Sequence, residues 1–549
     1  MTTAPLFSVI TPVYNPPVAV LEETVRSVLA QRFRDWELIL VDDCSPNPAV
    51  RDVLRGLAAS DERIRLIERE TNGHIVAASN DGIDAARGEF IALLDHDDLL
   101  VPRSLMAMSR AIAANPDVDY LYSDERLVNQ DGSPRGDFVK PAWSPERLRG
   151  QMYTCHLSVL RTSVVREVGG FHEGFDGSQD HDLVLRVTER ARRVVHVPKV
   201  LYKWRAVPGS VVMDPQAKPY AWEAGLRAVQ AHLDRVGAEA TADLGVRTGV
   251  YELHRRLSDA VRLSVVIPTR GTEGLVWGER RCFVVEAVRS VLEQGGHENI
   301  EVVVVHDTST PQRVLRELRH VAGEALRLVP YEKSFNFSEK CNLGVVASHG
   351  DVVVLLNDDV EISSPNFLPN LVAPLFEDGV GMTGANLVFS DGSVQHAGVV
   401  FRKQGPGHMF YKKPGGWPGP FNALLVNREC SGLTGACIAV RRSVYYEVGG
   451  MTEVLPHSYN DVDFSAKIAA AGLRRLWIAN ARAFHFESKS RVPTVHPWEL
   501  KLLRSRWDFP LRDPYMPTYG PSPTRQSTSK RAGEKRAFRR ATKGKAAVR

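Results

Sequence analysis

Apolar residues fall along this chain in two rhythms. Short consecutive runs, such as Val9-Ile10, "LILV" at 38–41 and "IALL" at 91–94, alternate with stretches whose apolar positions recur every three to four residues, as in "VAVLEETVRSVLAQ" at 18–31. The first rhythm predicts strands buried on both faces of a mainly parallel sheet. The second predicts amphipathic helices laid on that sheet. Because the two alternate, the fold class is α/β. In such sheets ligands sit beyond the C-terminal ends of the strands.

The whole pattern occurs twice. "FSVITPVYN" at 7–15 returns as "LSVVIPTRG" at 263–271, and "VRSVLAQ" at 25–31 returns as "VRSVLEQ" at 288–294. "ELILVDDCS" (37–45) matches "EVVVVHDTS" (301–309), and "GEFIALLDHDD" (88–98) matches "GDVVVLLNDDV" (350–360). "REVGGFHE" (166–173) and "QDHDLVLR" (179–186) match "YEVGGMTE" (446–453) and "NDVDFSAK" (460–467). The order is preserved, so one domain is used in tandem. The expected division is a first domain over 5–215, a helical linker over 216–260, a second domain over 261–505 and a tail over 506–549. The linker carries "YAWEAGLRAVQAHLDRVGAEA" (220–240), which reads as a surface helix. The tail turns from Pro/Ser-rich to Lys/Arg-rich, a composition that predicts disorder.

Composition removes several function classes. Apolar residues make 43% and charged residues 24% of the chain, values of a soluble globular protein. The net charge of +4 gives no argument for specific nucleic-acid binding. Six scattered cysteines without a C-x-x-C pair read as reduced thiols, not as a zinc site or disulfide framework. No apolar run approaches the roughly 18 residues of a membrane span, and the N-terminus lacks the basic region of a signal peptide. The expected location is cytoplasmic, with the basic tail offering peripheral contact to an anionic inner membrane face.

The candidate chemistry lies at the strand ends. "EFIALLDHDDLL" (89–100) runs a buried-looking strand into Asp95, Asp97 and Asp98. Carboxylates this close resist ionising together. A hard divalent cation, Mg²⁺ or Mn²⁺, would compensate them and bridge to substrate phosphates. The alternative is a solvated acidic turn or a helix cap. That alternative weakens because the second copy again carries acids there, Asp358 and Asp359. Asp43 and Asp307 follow another strand end, where they either accept hydrogen bonds from a base or ribose or form Asx turns. Asp180 and Asp461 follow Gly-Gly turns and open helix-like D-x-D stretches; each is a general-base candidate or an N-cap. His485, in "FHFESKSR", is of the residue type most often found on metals.

Together these motifs resemble the family 2 glycosyltransferases, over both copies and nearly everything from residue 7 to about residue 491. The resemblance implies two GT-A domains, Rossmann-like and mainly parallel. It implies inverting, metal-dependent transfer of a sugar from a nucleoside-diphosphate donor to a glycan or lipid-linked glycan acceptor. Tandem chains of this kind resemble enzymes of bacterial surface polysaccharide and O-antigen synthesis. In copy one it implies Asp43 at the base, with Pro12, Tyr14 and Asn15 shaping that pocket. Asp95 would lie near ribose and diphosphate, Asn80 among the substrate contacts, Asp97 on the metal, and Asp180 as the base. In copy two the matching positions are Pro268, Asp307, Asn342 and Asn357 for substrate, Asp359 and His485 for the metal, and Asp461 for the base. Departures are visible. Lys203 stands about where a histidine is expected, Asn357 replaces Asp95, and His306 replaces Asp42. Copy two also inserts a loop rich in aromatics, "QGPGHMFYKKPGGWPGPFN" (404–422), against which an acceptor could lie; a lid is the other reading. Three functional readings stay open: both copies catalytic; one catalytic and the other a binding scaffold; or a sugar-nucleotide binder without turnover or a nucleotidyltransferase on a similar α/β sheet.

Overall fold

The computed structural model describes residues 4–206, 219–486 and 496–516. Copy one runs β1 (Phe7–Val13), α1 (Val18–Leu29), β2 (Trp36–Asp42), α2 (Pro48–Ser60), β3 (Ile64–Glu68), α3 (His74–Ala85), β4 (Phe90–Leu93), β5 (Leu99–Leu100), α4 (Ser104–Ala114), β6 (Tyr120–Val128), β7 (Pro134–Phe138), α5 (Pro145–Gly150), β8 (Ser158–Arg161), α6 (Thr162–Glu167), α7 (Gln179–Arg190) and β9 (Val194–Arg205). The sheet order is β3-β2-β1-β4-β8-β6-β9-β5, with β7 paired to β6. β3, β2, β1 and β4 are parallel; β8 enters antiparallel beside β4. Every residue of β2 is buried, as a strand covered on both faces requires. α1 turns Leu21, Val25 and Val28 onto the sheet.

Copy two repeats this order strand for strand. Leu326–Tyr331, Ile300–Asp307, Leu263–Thr269 and Val352–Leu356 form the parallel part, followed by Cys437–Arg441, Val380–Val388, Arg474–His485 and Val360–Ile362. The duplication read from the sequence is therefore a duplication of topology. Strand register also fixes which residues correspond. Ser27 bonds the amide of Leu100 and Ser290 that of Ile362, so these two residues are equivalent. The ladders Leu100↔Tyr202 and Ile362↔Ala483 then make Trp204, not Lys203, the counterpart of His485. The expectation for Lys203 is corrected by one residue. Register shifts in the β6–β9 ladder hide the true frame from a sequence comparison.

The linker is less peripheral than its sequence suggests. α8 (Pro219–Arg235) buries Ala224, Ala228, Val229 and Leu233. The last three join the copy-one core together with Tyr251 and Leu253 of the hairpin β10 (Ala240–Leu244)–β11 (Tyr251–Arg255). Small residues on one helical face allow the close approach to α7. The first part of the expected tail is also packed. Trp507 donates its indole N–H to Asp463 at 2.7 Å, and Phe509 stacks on Phe401 with centroids 4.2 Å apart. Pro514 accepts the amide of Ala142, which ties this segment to copy one. The remaining stretch, 517–549, on which disorder and membrane contact were expected, lies outside the described residues.

The copies meet along a buried ionic seam. Arg255 donates to Glu146 and Glu377, both at 2.7 Å, and Arg474 bonds Glu429 at 2.9 Å. Arg149 adds a bond to Glu377, and Ser144 one to Glu429. Three guanidinium groups thus face three carboxylates. Burial opposes ionisation of Glu146, yet Arg255 and Arg149 outweigh it and hold the carboxyl at about 2.

Candidate active sites

Each site is framed by one repeated clamp. Gly170 and Gly450 sit in the left-handed region, with φ of 66° and 60°. A Cβ on either would come within 2.6 or 2.8 Å of the Oδ1 of Asn80 or Asn342. Asn80 accepts from the amide of Phe171 at 2.8 Å and donates to its carbonyl at 2.9 Å. Asn342 does the same with Met451 and also bonds Tyr445 and Glu453. Both asparagines were expected to touch substrate. The structure instead spends their amides on pinning the Gly-Gly turn to α3 or its counterpart, ahead of the helices that carry Asp180 and Asp461. Alanine at either position should cost about 1–3 kcal/mol, because the turn's backbone groups lose their partners. Denaturant unfolding of Asn80→Ala and Asn342→Ala checks this.

In copy one the switch from parallel to antiparallel strands, between β4 and β8, opens the crevice where Asp95 to Asp98 emerge. Asp98 is buried and accepts from Tyr202 Oη and from the amide of Arg205, each at 2.7 Å. Burial and the neighbouring carboxylates of Asp95 and Asp97 push it well up. Burial likewise raises Asp97, with Asp95 adding to it. His156 enters from the segment before β8, stacked on Tyr202 at 4.6 Å. Its Nε2 lies 3.7 Å from Asp95, and its Nδ1 lies 3.5 Å from Glu125. Burial works against its charge, but Glu125 and Asp95 prevail and lift it to about 9. Ligand atoms of Asp95, Asp98 and His156 lie within 4.8 Å of one another. Asp180 heads α7; burial and the Asp95 carboxylate raise it to about 6. Asp43 accepts from the amide of Gly73 at 2.8 Å and is ion-paired with Arg69 at 3.1 Å. Asn15 has a φ of 49° and gives its amide to Ser45. Pro12 ends within β1, and Tyr14 stands exposed at the rim.

In copy two a cavity of about 740 Å³ gathers Pro268, Asn357, Asp359, Asp461 and His485. His485 Nε2 lies 3.2 Å from Asp359. Asp358 lines the same cavity and accepts from Thr269 at 2.7 Å; burial and Asp359 raise it to about 7. Asp461 accepts from the amides of Gly435 at 3.0 Å and Val462 at 2.8 Å. Asp307 lies behind, paired with buried Lys340 and with Arg270 at 3.5 Å.

Two sets of residues escaped the sequence reading. His156 is one. The register Phe90↔Arg161 and Val352↔Arg441 places Ala436 at its counterpart, so copy one brings its histidine from the segment before β8 and copy two from the strand Arg474–His485. Comparing "TCHLS" with "TGACI" would have exposed that exchange. The other is the pair His396 and His408, whose Nδ1 atoms are 2.8 Å apart. His396 Nε2 accepts from the amides of Gly398 and Thr434, so its proton sits on Nδ1 and points at His408, which lines the cavity.

A duplicated α/β sheet, with acids at each switch point and an aspartate at the head of a facing helix, defines the class. The chain belongs to Glycosyl transferase family 2, whose sequence pattern matches residues 8–167 and 264–449. The protein y4gI of Sinorhizobium fredii is 39% identical over 93% of this chain and 56% of its own length. The O-antigen biosynthesis protein RfbC of Myxococcus xanthus is 32% identical over 96% of this chain and 41% of its own length. The chain thus spans about half the length of these relatives. A solved structure of S. aureus TarS with UDP-GlcNAc overlaps 41% of this chain at 22% identity and a TM-score of 0.35. No helix among the described residues is long and apolar enough to cross a membrane.

Proposed function

We propose that this protein moves sugar from a nucleoside-diphosphate donor to a growing surface glycan by inverting transfer, with one active site in each copy. The observation that carries this reading is the pairing, in both copies, of strand-end carboxylates with a helix-head aspartate across one crevice. Relatives named for O-antigen and other polysaccharide synthesis support the acceptor class.

The residues fit a divalent cation. Asp97, Asp98 and Asp358 are all raised by burial and by neighbouring carboxylates, a charge surplus that a hard cation relieves. Asp98 has a bond on each oxygen already, which leaves Asp95 and Asp97 as the available ligands in copy one. Asp359 and His485 take that role in copy two. When bound, the cation stabilises the charge of the departing diphosphate. Asp180 and Asp461 accept the proton of the acceptor hydroxyl as it attacks the anomeric carbon from the face opposite the leaving group. Asp43 and Asp307 stand at the nucleotide end, with Lys340 and Arg270 beside Asp307 as donors to phosphate oxygens.

The test is a donor panel of UDP-, GDP- and dTDP-sugars with Mg²⁺ or Mn²⁺, reading released nucleoside diphosphate. Metal-dependent release is expected, with a share lost in Asp97→Asn and another in Asp359→Asn. Asn357 in place of Asp95 favours a second reading, in which copy two only binds. Full release from Asp359→Asn would select it.

A further inference from the structure

We propose that the cleft between the two copies is a subsite for one uncharged sugar ring of the acceptor glycan; this rests on the transfer reading above. The cleft has a volume of about 240 Å³ and lies between the hairpin β10–β11 of the linker and the copy-two strands Val380–Val388 and Arg474–His485. That is smaller than the usual site for a drug-sized ligand, and it suits one ring rather than a chain.

Its wall is chemically suited to a polyol. Trp417 brings its ring, with Lys413 Nζ 5.5 Å from the centroid and Phe410 packed perpendicular to it, and an indole N–H that donates no hydrogen bond among the described residues. The Oδ1 of Asn480 is buried and has no hydrogen-bond partner, an acceptor left for something not made of protein. The guanidinium of Arg482 borders the same space and makes no bond to described side chains, and Glu252, which accepts from the Asn480 amide at 3.4 Å, supplies a carboxylate beside it. The lining thus holds an aromatic ring, an open acceptor, a guanidinium and a carboxylate. A hydroxylated ring answers all of them, whereas an anion would meet Glu252 and a purely apolar ligand would leave Asn480 unsatisfied.

Position connects the cleft to the chemistry. Val394 borders the cleft, and its neighbour Gln395 borders the copy-two cavity, so one strand separates the two spaces. Arg482 precedes His485 by three residues of an extended strand, about 10 Å at roughly 3.3 Å per residue. A glycan whose end reaches Asp461 can therefore set an earlier ring in the cleft. The inserted loop 404–422 serves both spaces, with His408 in the cavity and Trp417 in the cleft.

The experiment is a titration of the full-length protein by saturation-transfer NMR, using neutral di- and trisaccharides of glucose, galactose, mannose and rhamnose, and separately UDP. Binding of at least one saccharide is expected. It should weaken about tenfold or more in Arg482→Ala and Asn480→Leu, with UDP binding unchanged. Arg482→Ala alters only an exposed side chain, so its result stands even if Asn480→Leu fails to fold. UDP binding without saccharide binding, or saccharide binding equal in wild type and Arg482→Ala, overturns the subsite alone. Saccharide binding without any nucleotide binding upholds it and counts instead against the transfer reading.

Discussion

Asp461→Asn is expected to lower transfer by copy two about 10²- to 10⁴-fold, the usual contribution of a positioned general base. The substitution is conservative in every other respect. Asparagine has the same size and caps a helix as well as aspartate does. Its carbonyl oxygen can keep one of the two amide bonds, to Gly435 or to Val462. If Asp461 only capped its helix, the rate would barely move. The fold should survive, shown by unchanged UDP binding, while the proton acceptor is gone. Asp180→Asn makes the parallel case in copy one, with a pH signature added. Asp180 titrates at about 6 because of burial and of Asp95, and only its ionised form accepts a proton. Burial, the larger cause, persists when a cation neutralises Asp95, so copy-one activity should fall as pH drops, at or below about 6. A copy-one rate that stays flat from pH 7.5 to 5 would sink the assignment. So would full activity in Asp180→Asn, unless copy one proves silent in the wild type.

Arg255→Met is expected to destabilise the protein by about 3–5 kcal/mol, the range for removing one partner from a buried ion pair. Arg255 bonds Glu146 and Glu377 at once, and its side chain is 5% exposed. Without it Glu146 and Glu377 each lose a partner, and Arg149 alone reaches both. The loss should appear as a lower urea midpoint. The seam should also respond to acid. Glu146 is held below its ordinary value, so its contribution is complete above about 4.5 and disappears as pH falls towards about 2. In Arg255→Met that acid dependence should shrink. An unfolding free energy within about 0.5 kcal/mol of wild type would mean the copies do not rely on this seam.

The fold was legible because its signals are local. Consecutive β-branched and leucine residues cannot avoid a doubly covered strand, and Val18 to Leu29 cannot avoid an amphipathic helix. The duplication was legible because both copies keep the same turn chemistry, from "VGG" to the acids after β4 and its counterpart. The pairing of Asp97 with Asp359 survived, since strand register agrees with the sequence comparison there. Lys203 failed where the β6–β9 ladder shifts register, a change that leaves no mark on composition.

What the sequence determined by itself was the set of elements, their order and their repetition. Periodicity and turn residues act within a few positions of one another. What only the tertiary structure decided was which polar side chains are spent and which are available. Asn80 and Asn342 look like site residues but close a turn more than ninety residues downstream. His156 looks like any histidine until β4, β8 and β9 bring it between Asp95 and Glu125. Arg255, Glu146 and Glu377 are ordinary charges until two domains bury them together. Hydrogen bonds and ion pairs reach only a few ångströms, and these partners are distant in the chain, so only folding could reveal them.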